Sequence, residues 1–153
     1  IYEGTNGVQA HDLMGRKVAK NNGAFVAPLI AEMREFNATL AGNANLTFMH
    51  DALEQAIQDI ESATQFVIEQ SQQNPDQINA AAVDYLHAFG LLNFAYMFAK
   101  IAKAADGKDD TFYADKLRLA KFFVTRMLPE LKSRVASIKA GSDVMMDFDM
   151  AYF

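Results

Sequence analysis

Apolar residues recur at spacings of three and four along most of the chain, and nowhere alternate with a period of two for long enough to make a sheet. The pattern predicts five helices. The first covers about residues 6–20, with Asn6 placed to cap it and Gln9 three residues later completing a capping-box pattern. Val8, His11 or Asp12, and Gly15 share one of its faces, which is therefore not purely apolar. Asn21, Asn22 and Gly23 stop it. The second, about 24–41, carries a stripe of Phe25, Leu29, Met33, Phe36 and Leu40. Pro28 falls in its first turn, where a missing N–H costs little, and Gly42 and Asn43 end it.

The third helix, about 46–72, repeats Met49, Leu53, Ile57, Ile60, Thr64 and Val67, with acids and glutamines opposite. The fourth, about 76–105, has Asn74 or Pro75 at its start and a stripe of Ile78, Ala82, Tyr85, Phe89, Leu92, Tyr96 and Ala99. From Tyr85 to Ala99 it is apolar nearly all round, which predicts a central, buried helix. Gly107 closes it. The fifth, about 110–139, presents Leu117, Ala120, Val124, Met127, Leu131, Val135 and Ile138. Pro129 inside it should kink or split it, and Gly141 ends it. Residues 142–153 read as irregular, anchored by Met145, Met146, Phe148, Met150 and Phe153. Long amphipathic helices with short polar turns predict an all-α, up-down bundle of about five helices.

Composition supports a real core: 51% of the 153 residues are hydrophobic. The absence of cysteine excludes disulfides, thiolate metal sites and cysteine nucleophiles, and fits a cytoplasmic protein. No apolar run approaches the roughly 20 residues of a membrane span, so no membrane partner is expected. No signal peptide is visible. The chain opens on Ile1 rather than Met, which reads as a boundary within a longer polypeptide.

The net charge of −5 is uneven. Residues 36–99 hold no Lys or Arg and seven acids, whereas residues 100–139 hold ten bases and five acids. Pairing of charged faces between neighbouring helices accounts for this more simply than docking to a partner. Nucleic-acid binding is not expected, because the bases alternate with acids and apolar residues.

The chemistry concentrates in Ile1-Tyr-Glu-Gly-Thr-Asn-Gly-Val-Gln-Ala-His-Asp-Leu-Met-Gly-Arg16. Glu3 stands just before a helix, and Gly4 allows positive φ or a close backbone approach. Thr5, Asn6 and Gly7 present hydroxyl, amide and free N–H groups at a helix start, which suits an anion or a polar cofactor edge. An ordinary capped helix with an acidic lead-in explains the same residues. Asp84 and His87, at i and i+3, resemble half of a di-iron pair but lack a second copy, so an ordinary histidine is expected. His50, Asp51 and Glu54 read as a solvated helix start.

Tyr2-Glu3-Gly4-Thr5, followed by Val8-Gln9 and Gly15-Arg16, resembles the acyl-CoA dehydrogenase family. With Asn6-Gly7 and Asp12-Leu13 included, it is similar to the larger bacterial branch that carries an extra C-terminal helical domain and includes methylmercaptopropionyl-CoA dehydrogenases. The resemblance implies that residues 1–22 end the catalytic helical domain and 23–153 form the appended bundle. It implies that Glu3 is the general base removing the α-proton of an acyl-CoA thioester while a hydride passes from the β-carbon to the flavin of FAD. A carboxylate in a closed apolar site has its pKa raised toward working pH, which suits that task.

The backbone N–H of Glu3 would polarise the thioester carbonyl, with Gly4 beside it at the substrate. Thr5 matches a position contacting FAD. Gly7 matches a position that is often Gln and touches the flavin, so its contact here would come from backbone alone. An electron-transfer flavoprotein as electron acceptor and a homo-oligomer are implied as well. No metal is. The chain alone is expected to be inactive, lacking most of a flavin site. The alternative reading is a non-catalytic helical oligomerisation or interaction module.

Overall fold

In a computed structural model, residues 4–148 and 151 of the chain are described. Every regular element among them is helical. Helix α1 (Asn6–His11) widens into a π-helical segment, Asp12–Val18, and tightens into a 3₁₀ turn, Ala19–Asn21. Then come α2 (Ala27–Ala38), α3 (Thr47–Ser71), α4 (Asp76–Ala105) and α5 (Thr111–Phe122). A π-helical turn, Phe123–Met127, leads to α6 (Glu130–Lys139) and a short α7 (Asp143–Met146). The all-α bundle expected from periodicity is present.

Helices α3 and α4 form an antiparallel pair at its centre. Met49, Leu53, Ile57, Ile60 and Val67 of α3 are buried, each contributing roughly 1.5–3 kcal/mol relative to exposure. Thr64 is half-buried and its hydroxyl lies 2.7 Å from the Tyr85 hydroxyl. Burial pushes the Tyr85 phenol up to about 12, against the opposing pull of the Thr64 hydrogen bond. Helix α4 also packs against α1, α5, α6 and the two π-helical segments. Its packed sides are lined by Ala81, Ala82, Ala88, Ala95, Ala99, Ala102 and Ala105, all buried. Its remaining side is a departure from expectation: Val83, Phe94, Met97 and Ile101 face outward.

Two of the other departures accompany changes of helical period. Widening at Asp12–Val18 lets i→i+5 bonds replace i→i+4, and Ala10, Met14 and Val18, four apart, become the buried face. Val8 is exposed. Thr5, not Asn6, takes the cap position, and no side chain caps the helix, so no capping box forms. Helix α2 begins later than expected, which leaves Phe25 exposed and buries Val26, Ile30, Met33 and Asn37. In the fifth element the Leu128 N–H reaches back five residues to the Phe123 carbonyl. That extra residue moves the seam from Met127, which is exposed, to Phe123 and Leu128, which are buried. Pro129 then starts α6, so the helix is split as its proline foretold. The tail is not wholly irregular, since it carries α7. Met150 and Phe153 lie outside the described residues.

Loop ties close the bundle at both ends. Asn43 and Asn45 donate to the Asp106 carboxylate at 2.6 and 3.0 Å. These two bonds hold its pKa below the ordinary carboxylate range. At the other end Gly141 adopts φ +77°, and a Cβ there would lie 3.3 Å from Gln77 Oε1. The left-handed turn delivers buried Ser142 to Gln77. Gln77 Nε2 donates to Ser142 Oγ at 2.9 Å, Asn74 Nδ2 donates to the same oxygen at 3.0 Å, and the Ser142 N–H donates to Gln77 Oε1 at 3.1 Å. Ser142→Ala strands the buried Gln77 amide and should lower stability by about 1–3 kcal/mol in urea unfolding. Ser62→Ala, at an exposed bond from Lys139, should change it by less than about 0.5 kcal/mol.

Candidate functional site

Glu3 lies outside the described residues. Gly4 has φ +72° with open space where a Cβ would lie, a backbone conformation that L side chains rarely adopt. Thr5 comes next, at the cap position, and its carbonyl accepts the first bond of α1, from the Gln9 N–H at 2.8 Å. The N–H groups ahead of Gln9 have no intrahelical acceptor, as at any helix start. The Thr5 hydroxyl has no partner among the described residues. Gly7 follows two residues later, in the first turn of α1. All three are exposed, so the first turn of α1 presents a hydroxyl and free N–H groups outward.

Residues 12–23 fix the position of this turn. Asp12 pairs with Arg16 one turn later. Gly15 meets Ile78 of α4, with the His11 ring beside it. Asn21 Nδ2 donates to the Arg16 carbonyl at 3.2 Å, and Asn22 (φ +49°) and Gly23 (φ +76°) turn the chain into α2. The clefts lie elsewhere. One of about 240 Å³ runs between α3 and the α5–α6 break, lined by Ala52, Ala56, Asp59, Val124, Leu128 and Lys132. Another, of about 450 Å³, lies between residues 22–30 and α3. Neither includes Gly4, Thr5 or Gly7.

The acids read as bystanders are engaged structurally. Asp84 accepts from Arg134 at 2.8 Å, and Arg134 also pairs with Glu130. These two partners raise the guanidinium pKa. His87 is exposed. His50 Nδ1 lies 3.0 Å from Asp51. No group of three or more metal-ligating side chains is assembled among the described residues. No helix there is long and apolar enough to cross a membrane.

Periodicity alone missed one network. Arg34 of α2 donates two bonds to Glu61, at 2.7 and 2.6 Å, and approaches Glu54 at 3.4 Å. Buried Asn37 donates to the His50 carbonyl at 3.1 Å and to Glu54 at 3.4 Å, while its own carbonyl oxygen has no partner among the described residues. The legible signal was Glu54 and Glu61, seven apart on α3 inside the base-free stretch, with Arg34 just ahead of it. Burial works against the Glu54 charge, but Gln58, Arg34 and Asn37 together outweigh it and hold its carboxyl below the usual value.

The family described as "Acetyl-CoA dehydrogenase C-terminal like" matches residues 29–149. The chain belongs to it. Among curated proteins, this acetyl-CoA dehydrogenase C-terminal-like chain is 26% identical to a broad-specificity linear acyl-CoA dehydrogenase of Mycobacterium tuberculosis, over 100% of its own length and 27% of the relative's. It is 26% identical to a 3-methylmercaptopropionyl-CoA dehydrogenase of Ruegeria pomeroyi, over 95% of its length and 26% of the relative's. It is 27% identical to a butyryl-CoA dehydrogenase of Syntrophomonas wolfei, over 96% and 25%. The chain therefore spans about a quarter of the length of these relatives. The matched region begins inside α2 and runs through α7; α1 precedes it, yet Ala10, Met14 and Val18 belong to the same core.

The Arg34 network gives a pH-dependent prediction. A carboxyl whose folded pKa is depressed stabilises the fold above its unfolded pKa, and that contribution is lost as pH falls through the folded pKa. Arg34→Gln should therefore cost up to about 1 kcal/mol at pH 7, the range of a partly exposed pair. In urea melts from pH 7 to pH 3 the difference from the parent should shrink toward zero below about pH 4.

Proposed function

We propose that this chain is the C-terminal part of an FAD-dependent acyl-CoA dehydrogenase and that Glu3 is its catalytic base. What carries the proposal is that relatives aligned over 95–100% of the chain are named as acyl-CoA dehydrogenases. The Tyr2-Glu3-Gly4-Thr5 motif gives the residue. The reaction is α,β-dehydrogenation of an acyl-CoA thioester to the 2-enoyl-CoA. Glu3 takes the α-proton, and its backbone N–H steadies the negative charge that develops on the thioester oxygen. Gly4, with no side chain and positive φ, lets the backbone come close to the substrate.

FAD, when bound, supplies the hydride acceptor. The unpartnered Thr5 hydroxyl and the backbone of Gly7 fit contacts to it, and both face outward from this chain. Most of the flavin and thioester surroundings then come from sequence outside these residues. On this reading residues 1–22 close the catalytic helical domain and 23–153 form the appended bundle, joined at the Asn22-Gly23 turn. An electron-transfer flavoprotein takes the electrons.

In the full-length polypeptide, Glu3→Gln should lower kcat by about 10²–10⁴-fold while the bound-flavin absorption band is retained. Turnover within tenfold of the parent, with flavin still bound, overturns the assignment of the base. The purified 153-residue chain should show no stoichiometric flavin band in its visible spectrum. A full band would mean that the site is complete within it.

A further inference from the structure

Asparagine is followed by glycine at Asn6-Gly7 and again at Asn22-Gly23. The pair carries a chemistry of its own. The backbone nitrogen after an asparagine can attack the side-chain carbonyl carbon, and a glycine presents that nitrogen with no Cβ in the way. The new C–N bond closes a cyclic succinimide, and ammonia leaves. Water then opens the ring at either carbonyl, giving aspartate or isoaspartate. Water is the sole co-reactant, and nothing is oxidised or reduced. The attack needs a backbone N–H outside any hydrogen bond and a backbone free to turn toward the side chain.

The fold treats the two pairs differently. Asn22 adopts φ 49° and ψ 41°, in the turn that leads into α2. The Gly23 N–H is held by the Val18 carbonyl at 2.9 Å, and the Gly23 carbonyl accepts from the Val26 and Ala27 N–H groups at 2.9 and 3.0 Å. Gly23 is buried, and a Cβ there would lie 3.5 Å from Ile68 and 3.6 Å from Thr64. Closing a ring at Asn22 would break the bond to Val18 and pull this turn off α3. Asn6, by contrast, stands in the first turn of α1, and both it and Gly7 are exposed. The Gly7 N–H precedes Gln9, among the donors that a helix start leaves over. Neither it nor the Asn6 side-chain amide has a partner among the described residues. Ring closure there disturbs one end of a helix, where local opening costs least.

We infer that Asn6 is the deamidation site of this chain and that the fold holds Asn22 inert. The product places a carboxylate beside Thr5 and Gly7, in a turn whose exposed groups are a hydroxyl and free N–H. Isoaspartate also lengthens the backbone there by one carbon. Negative charge at a helix start is favourable, so the added charge does not oppose α1. The assignment does not depend on Glu3 or on the catalytic reading.

The test is peptide mapping by mass spectrometry after the purified 153-residue chain has been incubated in mildly alkaline buffer. Trypsin cuts after Arg16 and Lys20, which puts Asn6 and Asn22 on separate peptides. Deamidation adds the mass difference between a hydroxyl and an amino group, and enzymatic methylation tells isoaspartate from aspartate. In the folded chain Asn6 should convert about tenfold faster than Asn22, the factor expected when one pair must first give up a backbone hydrogen bond and its packing. In urea the two should convert at like rates. Conversion at Asn22 as fast as at Asn6 in the folded chain overturns the inference. A ratio that persists in urea overturns it too, because the fold is then not what separates the two. So does a folded chain whose Asn6 stays intact over the time in which the unfolded chain converts.

Discussion

The bundle depends on how closely other helices can approach α4. Interaxial distance is set by the side chains at the contact, and α4 offers alanine at seven buried positions from Ala81 to Ala105. The larger groups come from its neighbours: Leu53, Ile57 and Ile60 from α3, Leu131 and Val135 from α6, Phe123 from the π-helical turn, Met14 from the segment after α1. Leu92, Tyr85 and Tyr96 are larger buried groups of α4 itself, and the two tyrosines are placed by their hydroxyls, on Thr64 and on Glu32 at 2.8 Å. Enlarging any of the buried alanines would force the surrounding helices apart together, because they share one axis. The loop ties at Asp106 and Ser142 then hold the two ends of that axis.

Much of this was legible from periodicity, and the drift of the buried stripes has one cause. Helices α3 and α4 keep the 3.6-residue period throughout and fall within a residue of where apolar spacing put them. The first and fifth elements do not. In each a π-helical stretch adds a residue to a turn, so a stripe extrapolated at regular spacing drifts off the buried side. Met127 was expected inside and Leu128 is there instead; in the first element the buried residues are Ala10, Met14 and Val18. Nothing in residues 12–18 or 123–127 announces the widening, whereas Pro129 did announce the break after it.

The candidate site was legible in a different way. Spacing and capping chemistry at residues 3–7 permit an anion or cofactor edge but permit an ordinary helix start equally well. Only the whole string from Tyr2 to Arg16 singled out Glu3, and the family assignment over residues 29–149 comes from residues that string does not contain. Motif and family match therefore rest on separate residues, and they lead to the same family. What the geometry adds is direction. Gly4, Thr5 and Gly7 are exposed and line neither of the two clefts along α3. The Arg34–Glu54–Glu61 network, unread from the stripes, ties α2 to α3.

The outer face of α4 bears on how the two ends of the chain are used. Three sides of α4 hold α1, α3, α5 and α6, and Phe94, Met97 and Ile101 stand exposed on the fourth. Exposed apolar stripes of this length mark surfaces that meet something. Polar residues there would leave the core intact, because none of those side chains reaches it except through Phe123. The first turn of α1 and the outer side of α4 are thus two outward-facing surfaces with different chemistry, one of hydroxyl and backbone N–H, the other apolar. A rigid bundle that fixes one surface relative to the other couples the position of residues 4–7 to whatever covers α4. The rigidity comes from the alanine-lined axis that both surfaces share.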